Sequence, residues 1–282
     1  MLKVFGFVRR NAKLTHDEYR AAHVGHHNSF GRRLNGIRGY ALNVRSNRLV
    51  SESLGALAAQ ITKSEPEWFD DEWDGYGLLM FDTREVYLAA RSPARDKAGP
   101  DGLELDPRVA QVGGDGAHLY RGSPFQFHVD EHVAAPVWRA ERKAFKLVQF
   151  AKRPEGLTAE EFRAYYTGRY SALMTQMPGL RGMLVNFRTD LDVMTGFFEP
   201  DSDAFSKEGT ALREKFYGEF DVMTELWFDR PEQFVAGRTD PELGPKLDAM
   251  EKDLLGQVFY REVDETVAVN ANRAPAPDFY HR

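Results

Sequence analysis

The pattern of apolar and polar positions predicts the same order of strands and helices twice along the chain. Residues 2–9 alternate loosely between apolar and polar side chains, which is typical of a β-strand, and residues 145–152 repeat the pattern. A helix follows each of these strands, and short helical segments are predicted later in each half, at 85–91 and 232–237. Further strands are predicted at residues 37–45, 76–81, 125–133, 180–188, 223–228 and 257–267. Each half therefore predicts the order βαββαβ, the ferredoxin-like arrangement.

A sequence repeat supports this division into two halves. Residues 14–45 return in register as residues 157–188, 143 positions later and without a gap. When the comparison begins at Phe7 and Phe150, 13 of 39 positions are identical, whereas unrelated sequences would share about two. We therefore predict an α+β chain of two tandem units, with domains at 1–138 and 139–282.

The repeated helix carries its own start and stop signals. Thr15-x-x-Glu18 has the spacing of a capping box, and the second copy has the same spacing between Thr158 and Glu161. A glycine near position 36, and its counterpart in the second copy, ends the helix. Helical spacing then predicts a core-facing stripe. Its members are Tyr19, His23, His26, His27, Phe30 and Leu34.

Composition and charge limit the classes of function. The 282 residues are 42% hydrophobic and 28% charged, with a net charge of −6. This balance and the scattered basic residues argue against nucleic acid or an anionic membrane as a partner. No cysteine is present, which excludes disulfides and thiolate chemistry and fits a reducing compartment. Neither a signal peptide nor an apolar membrane span is evident, so we expect a cytoplasmic protein.

Two long segments separate the second and third predicted strands of each half. Residues 49–73 and 189–219 are each predicted to contain a short helix, at 54–61 and 204–217. Segments of this length in compact domains are usually functional lids or disordered. Residues 95–116 are the most loop-like part of the chain, and the proline-interrupted tail from residue 270 is predicted either to wrap over a neighbouring surface or to be disordered.

Histidines distinguish the two copies of the helix. The first copy has His23, His26 and His27 where the second has Tyr166, Arg169 and Tyr170. A histidine at the edge of an apolar pocket can act as a general acid or base near pH 7. The competing interpretation is that these are hydrogen-bonded core histidines, which burial would keep neutral. His26 lies at the edge of the stripe and is predicted to be solvated.

Metal and nucleotide cofactors are not favoured by the sequence. His23 and His27 are spaced to share a metal, but no H-E-x-x-H motif or adjacent carboxylate supports this, and His128 and His132 could contribute only if their strand turned inward. No nucleophile elbow, phosphate loop or dinucleotide-binding motif is present. A haem is compatible with the sequence but has no specific signal. We therefore predict no metal and no cofactor.

The repeated motifs resemble those of the EthD family within the dimeric α/β-barrel superfamily. The shared pattern is L-T-x-[DE]-E-[FY]-R-A, then a histidine eight residues after the aromatic, then G-[LI]-R and an asparagine in the next strand. In the second half it is completed by D-x-x-x-E-L-W-F-D. The matching residues are Leu14–Ala21, His27, Gly36–Arg38, Tyr40 and Asn43, and then 157–164, 178–182, 186 and 221–229.

The resemblance implies a pseudo-dimer, in which two ferredoxin-like sheets of one chain face each other and a pocket opens between each sheet and its helices. The family's histidine corresponds to His27. The second half departs from the pattern because Tyr170 occupies that position. The resemblance therefore implies that a catalytic site belongs to the first half. A homodimer is also an option.

These observations lead to a functional prediction. We expect a cofactor-independent lyase or isomerase, catalysing a decarboxylation, dehydration or rearrangement of a hydrophobic, aromatic small molecule. His27 is predicted as the general acid or base with His23 beside it. The substrate-binding candidates are His26, Tyr40, Asn43, Phe30 and Tyr19. Two alternatives are a monooxygenase, cofactor-free or haem-dependent, and a non-catalytic small-molecule-binding protein.

Two of these candidates depend on the regularity of one strand. Tyr40 and Asn43 differ by an odd number of positions, so their side chains point to opposite faces of a regular strand. A bulge would be needed for both to line one pocket. Because Asn43 recurs as Asn186 in the second copy, the repeat favours a structural role for this residue over a catalytic one.

Overall fold

Eight antiparallel strands close into one barrel in the computed structural model of this chain. The structure describes residues 1–32, 34–48, 50–96, 116–122, 124–139 and 143–271. Most of the predicted loop at 95–116 and of the tail from residue 270 lies outside these residues. The strands are β1 (Leu2–Val8), β2 (Gly39–Arg45), β3 (Gly75–Phe81), β4 (Phe125–Ala135), β5 (Phe145–Lys152), β6 (Leu180–Arg188), β7 (Val222–Phe228) and β8 (Gln257–Val269).

The strand order follows the repeat. The first half is ordered β4-β1-β3-β2 and the second half β8-β5-β7-β6. The pairs β2–β8 and β4–β6 join the two sheets along both edges, so the sheets face each other across the barrel interior. Since every strand is paired on both sides, the barrel has no free edge. The predicted α+β class is confirmed.

Helices cover the outside of the barrel. The capping boxes at Thr15 and Thr158 are both formed. The helical segments are α1 (His16–Ala21), a π-helical turn (Ala22–His27), α2 (Asn28–Gly31), α3 (Val50–Leu54), α4 (Leu57–Ile61), α5 (Phe69–Glu72), α6 (Arg84–Asp96), α7 (Gly116–Leu119), α8 (Ala159–Tyr165), a second π-helical turn (Tyr166–Tyr170), α9 (Ser171–Met174), a 3-10 turn (Asp203–Phe205), α10 (Lys207–Tyr217), α11 (Pro231–Thr239) and α12 (Leu243–Leu254). In the described part of the chain, no helix is long and apolar enough to span a membrane.

Two helices predicted as continuous are interrupted, and the helices α5, α7 and α12 were not predicted. The segment predicted at 54–61 is split because Gly55 takes a positive φ of 57°, which ends α3 before α4 begins. The segment predicted at 204–217 starts anew at Ser206, whose hydroxyl caps α10. Helix α12 precedes the last strand of the second half without a counterpart in the prediction.

One end of the barrel interior is filled by aromatic side chains. Phe7 of β1 and Phe150 of β5 meet with ring centroids 6.1 Å apart. Phe69 of α5 packs on Phe150 at 5.0 Å, and Phe216 of α10 packs on Phe7 at 5.4 Å. Since α5 and α10 belong to the two long segments between the second and third strands, these segments close one end of the barrel.

A network of buried charges fills another part of the interior. Lys3 of β1 donates to Glu225 of β7 at 3.1 Å and to Asn186 at 2.6 Å. Lys146 donates to Glu225 and to Asn43, each at 2.7 Å. Strands β1 and β7 are not neighbours in the sheet, so the contact between Lys3 and Glu225 crosses the barrel. Each lysine therefore binds the asparagine of the opposite half, which explains why Asn43 recurs in the second copy.

Candidate active site

The first half contains a cavity of about 640 Å³ between the outer face of its sheet and the helix that follows β1. This volume is within the usual range for small-molecule sites. His23 and His27 contribute from the helix side. The sheet side and the mouth are formed by Gly6, Val8, Tyr40, Leu42, Gly77, Leu79 and Gln126, together with Tyr120, Gly122, Pro124 and residues 197–203 except Pro200.

A π-helical turn carries the two cavity histidines. The backbone N–H of Asn28 donates to the carbonyl oxygen of His23, five residues earlier. The imidazoles of His23 and His27 stack, with ring centroids 5.2 Å apart and an angle of 11° between their planes. π-Helical turns occur frequently at functional sites. The second copy also has one, so this local geometry belongs to the repeated unit rather than to the histidines themselves.

His23 is held as a neutral imidazole. Its side chain is buried, stacks on Tyr19 at 5.1 Å and has Nδ1 2.9 Å from the hydroxyl of Tyr120. Burial, and secondarily the positive charge of a protonated His27, holds the pKa of His23 well below its usual value. When the Tyr120 hydroxyl donates to Nδ1, the imidazole proton resides on Nε2.

The low pKa of His23 predicts a pH dependence of stability. The unfolded chain binds this proton more tightly than the folded chain, so the unfolding free energy should decrease as the pH falls below about 6.5. Replacing His23 by glutamine keeps an acceptor for Tyr120 and removes the titration. We expect His23→Gln to reduce the slope of the unfolding free energy between pH 7 and pH 5, measured by urea titration at several pH values.

The exposed neighbour His26 supplies the control for this measurement. His26→Gln should leave the slope near that of the unchanged protein, because the His26 side chain is exposed and lies outside the buried cluster around His23. One proton changes the slope by at most about 1.4 kcal/mol per pH unit. Equal slopes for His23→Gln and His26→Gln would show that His23 is not held neutral.

His27 and Tyr40 are brought together at the cavity. His27 is half-buried, and its ring centroid lies 5.6 Å from that of Tyr120. Tyr40 reaches the cavity because Gly31 of α2 leaves room for its ring; a Cβ at this position would overlap the phenol. The equivalent residue in the second copy is the buried Met174. The glycine thus lets the Tyr40 side chain extend from the sheet toward the helix that carries the histidines.

The other predicted substrate-binding residues do not line the cavity. Asn43 points into the barrel, where it accepts a hydrogen bond from Lys146, because β2 is regular between Ala41 and Arg45. Tyr19 is completely buried behind His23. His26 is exposed, as predicted from its place at the edge of the stripe, and its ring packs against Phe30, 5.1 Å away. The prediction that these four residues contact the substrate in this cavity is therefore corrected.

The cavity exists because five positions carry different side chains in the two halves. Gly6 pairs with Gly77 and Gln126 in the sheet, while the corresponding set in the second half is Gln149, Thr224 and Tyr260. Across from these lie His23 and His27 in the first half, and Tyr166 and Tyr170 in the second.

In the second half these side chains fill the space with hydrogen bonds. The amide of Gln149 donates to the hydroxyls of Tyr170 at 2.6 Å and Tyr260 at 2.5 Å, and accepts from Tyr166 at 2.5 Å. The Tyr166 hydroxyl also lies 2.7 Å from that of Thr224. This set is a buried polar core whose members are hydrogen-bonded to one another.

Sequence analysis did not identify Gly6, Gly77, Gln126 or Tyr120 as site residues. The contrast between Gly6 and Gln149 is visible in the repeat, since the two positions differ by 143. The contrast between Gly77 and Thr224 is not, because the long segments shift the register between the halves. Strand pairing was needed to align them.

The second half completes the mouth of the first-half cavity. Phe197, from the segment between β6 and β7, stacks on Tyr87 of α6 with centroids 4.6 Å apart and planes 4° from parallel. Phe198, Glu199 and Asp203 follow at the mouth. Of the two options left open for segment 189–219, a functional lid or a disordered segment, this position fits the lid, which stays a prediction. The described residues contain no group of three or more side chains able to hold a metal ion.

Comparison with known proteins supports the family resemblance. Residues 154–253 match the EthD domain family, which confirms the predicted resemblance in the second half. No curated protein matches the chain by sequence. A candidate monooxygenase from Fusobacterium nucleatum subsp. nucleatum has a similar structure, with a TM-score of 0.53, 8% identity, and coverage of 98% of this chain and 95% of that chain. An anthrone oxidase-like protein is similar with a TM-score of 0.51, 8% identity and coverage of 98% and 96%. At this identity the similarity concerns the fold alone.

Proposed function

We propose that this chain, whose second half carries an EthD domain, is a cofactor-independent lyase or isomerase acting on a hydrophobic, aromatic small molecule. The observation that carries the proposal is the position of His27 on the wall of a largely apolar cavity, stacked on a neutral histidine. Decarboxylation, dehydration and rearrangement require proton transfers and a shaped apolar pocket. The cavity provides His27 for the proton transfers and a largely apolar lining for the substrate.

His27 acts as the general acid and base. Its imidazole takes a proton from the substrate and returns it to another atom of the substrate or to the leaving group, so that no net proton is lost in an isomerisation. His23 packs against this group, with its ring stacked on that of His27 at a centroid distance of 5.2 Å. The hydrogen bond to Tyr120 keeps His23 in one orientation.

The remaining cavity residues bind and orient the substrate. Leu42 and Leu79 form apolar walls, and Tyr40 lines the cavity beside them. Phe197 and Phe198 close the mouth. Such closure excludes water, which strengthens the electrostatic interactions of the reacting groups. Tyr40 offers a hydroxyl that can orient a polar substituent of the substrate.

In the proposed function the two halves of the chain have different roles. We infer that residues 1–138 and 139–282 are tandem ferredoxin-like units, supported by the strand order of each half and by the sequence repeat. The first unit holds the reacting groups. The second unit has its equivalent space filled by Gln149 and its tyrosine partners and contributes the segment that closes the mouth of the cavity.

Turnover in the absence of dioxygen tests the proposed reaction class. Aromatic ketones, phenolic acids and hydroxylated dihydroaromatics would be incubated with the protein in air and under argon, and the products followed by NMR in D₂O. We expect the same product and rate in both atmospheres, with deuterium incorporated at the reacting carbon. Product formation that stops under argon and consumes dioxygen in air would identify a monooxygenase instead. Binding without conversion of any compound would identify a binding protein.

A further inference from the structure

The floor of the cavity consists of one row of residues across the sheet. Gln126 of β4 pairs with Gly6 of β1, Gly6 with Gly77 of β3, and Gly77 with Leu42 of β2. Residues paired in this way have side chains on the same face of the sheet. The row therefore presents two adjacent positions without side chains, bordered by an amide on one side and an isobutyl group on the other.

The two glycines leave real space rather than a tight backbone contact. A Cβ added at Gly77 would meet no atom within 4 Å, and one at Gly6 would meet only the Gln126 side chain, at 3.4 Å. Neither glycine has a positive φ, so backbone conformation does not require them. In the second half the same row is Tyr260, Gln149, Thr224 and Val185, which leaves no such floor.

The dimensions of this floor suit a flat ring system. Neighbouring strands lie about 4.8 Å apart, so Gln126 and Leu42 are separated by about 14 Å along the row. The peptide surface between them carries no side chains, and the histidine pair lies on the opposite side of the cavity. A planar aromatic molecule can therefore lie with one face on the glycines, whereas a bulky or twisted molecule would leave this surface uncovered.

Gln126 provides a directed polar group at the edge of the floor. The hydroxyl of Tyr87 donates to its Oε1, which leaves the Nε2 amide group to donate elsewhere. Nε2 lies 3.8 Å from the position that a Cβ on Gly6 would occupy, so it lies beside the floor. An amide N–H in this place can donate to a carbonyl or phenolate oxygen of a ligand.

We propose that Gly6, Gly77 and Gln126 form the recognition subsite for a planar aromatic ketone or phenol, with its ring face on the glycines and its oxygen on the Gln126 amide. This proposal rests on the proposed function in placing the substrate in the same cavity. It adds that planarity and one oxygen acceptor determine which molecules bind. Gln126 then stabilises negative charge on that oxygen when His27 removes a proton.

Calorimetric titration with three commercial probes tests separately whether binding requires a planar molecule and whether it requires an oxygen acceptor. 9-Fluorenone is flat and carries a carbonyl, fluorene is flat without one, and benzophenone carries a carbonyl between twisted rings. We expect 9-fluorenone to bind the unchanged protein about tenfold more tightly than fluorene, which corresponds to one hydrogen bond, and benzophenone to bind more weakly than 9-fluorenone.

Two substitutions address the subsite directly. Gly77→Val fills the floor, and we expect it to weaken binding of both flat probes at least about tenfold while the melting temperature is unchanged or raised, because glycine weakens a strand. Gln126→Glu keeps an acceptor for Tyr87 and loses the amide donor, so at pH 8 the preference for 9-fluorenone over fluorene should disappear. Gly168→Ala, on the second π-helical turn with open space around it, is the control and should bind as the unchanged protein does.

Several results would overturn the proposal. The proposal fails if the unchanged protein does not bind 9-fluorenone, or if it binds 9-fluorenone and benzophenone equally. It also fails if Gly77→Val binds the two flat probes as tightly as the unchanged protein does. If Gly77→Val does not fold, Gly77→Ala replaces it and should weaken the flat probes to a smaller degree. These outcomes are independent of the atmosphere test above: turnover with a failed probe series would refute only the subsite, and correct probe binding without turnover would refute only the reaction class.

Discussion

Replacing Glu225 by glutamine is expected to lower the unfolding free energy by about 3–5 kcal/mol. The carboxylate is completely buried and accepts hydrogen bonds from Lys3, Lys146 and the hydroxyl of Tyr76, the last at 2.7 Å. Its pKa is held well below the usual value because the two lysines outweigh the effect of burial. Glutamine has the same size and no charge, so Lys3 and Lys146 would lose the counterion that they share and keep only Glu131 and Glu265 as charged partners.

Urea denaturation followed by circular dichroism measures this effect. The control is Asp130→Asn, which breaks the ion pair between Arg163 and Asp130, whose side chains are 44% and 49% exposed. That substitution should cost less than about 1 kcal/mol because exposed pairs contribute little. Similar losses for Glu225→Gln and Asp130→Asn would contradict a buried network that depends on Glu225.

Replacing Glu225 and its two lysines together distinguishes charge from packing. Buried ion pairs can often be exchanged for apolar residues of similar volume at little cost. A triple variant with Lys3→Met, Lys146→Met and Glu225→Met should therefore be more stable than Glu225→Gln alone. Since Lys3 and Lys146 also bind Asn186 and Asn43, part of the loss will remain.

Replacing His27 by alanine is expected to lower kcat/KM by about 10²–10⁴-fold for any substrate that the unchanged protein converts. The reason is the loss of the group that transfers the proton, which water in a largely apolar cavity replaces poorly. The fold should persist because His27 is only half-buried and the π-helical turn also forms in the second copy, with Tyr170 at this position. The measurement is a steady-state rate with the best compound of the panel under argon.

The neighbouring His26 supplies a matched control for this substitution. It lies on the same turn, is exposed, and is not among the cavity-lining residues. His26→Ala should retain the full rate and the same melting temperature. If His27→Ala also retains the full rate, His27 is not the acid or base, and the proposed function fails with it.

Much of the fold was predictable because its signals are local. Capping boxes, strand alternation and the glycines after the repeated helix depend on residues a few positions apart. Because the sequence is repeated, each of these signals occurs in both halves of the chain. Helix α12 was not predicted because the pair Gly244 and Pro245 is typical of a turn. A helix can still form there, because a proline in the first turn of a helix interrupts no hydrogen bond. Its existence depends on packing against the second half.

The candidate site was predictable only in part. The contrast between His27 and Tyr170 pointed to the first half, and the structure places His27 at the cavity there. Asn43 was misplaced among the substrate-binding residues because its partner, Lys146, lies 103 positions away. No local pattern indicates that Lys146 and Asn43 meet inside a barrel.

By itself, the sequence showed that the two halves of the chain are related by a repeat, predicted most of the strands and helices, and indicated that the histidines distinguish one half from the other. Only the tertiary structure decided which residues form the cavity, because it depends on side chains brought together by strand pairing. Gly6, Gly77 and Gln126 are far apart in the chain and become neighbours through β1, β3 and β4. The closure of the cavity by Phe197 likewise depends on a contact between the two halves. Local interactions specify the elements, whereas the site arises from contacts between elements distant in sequence.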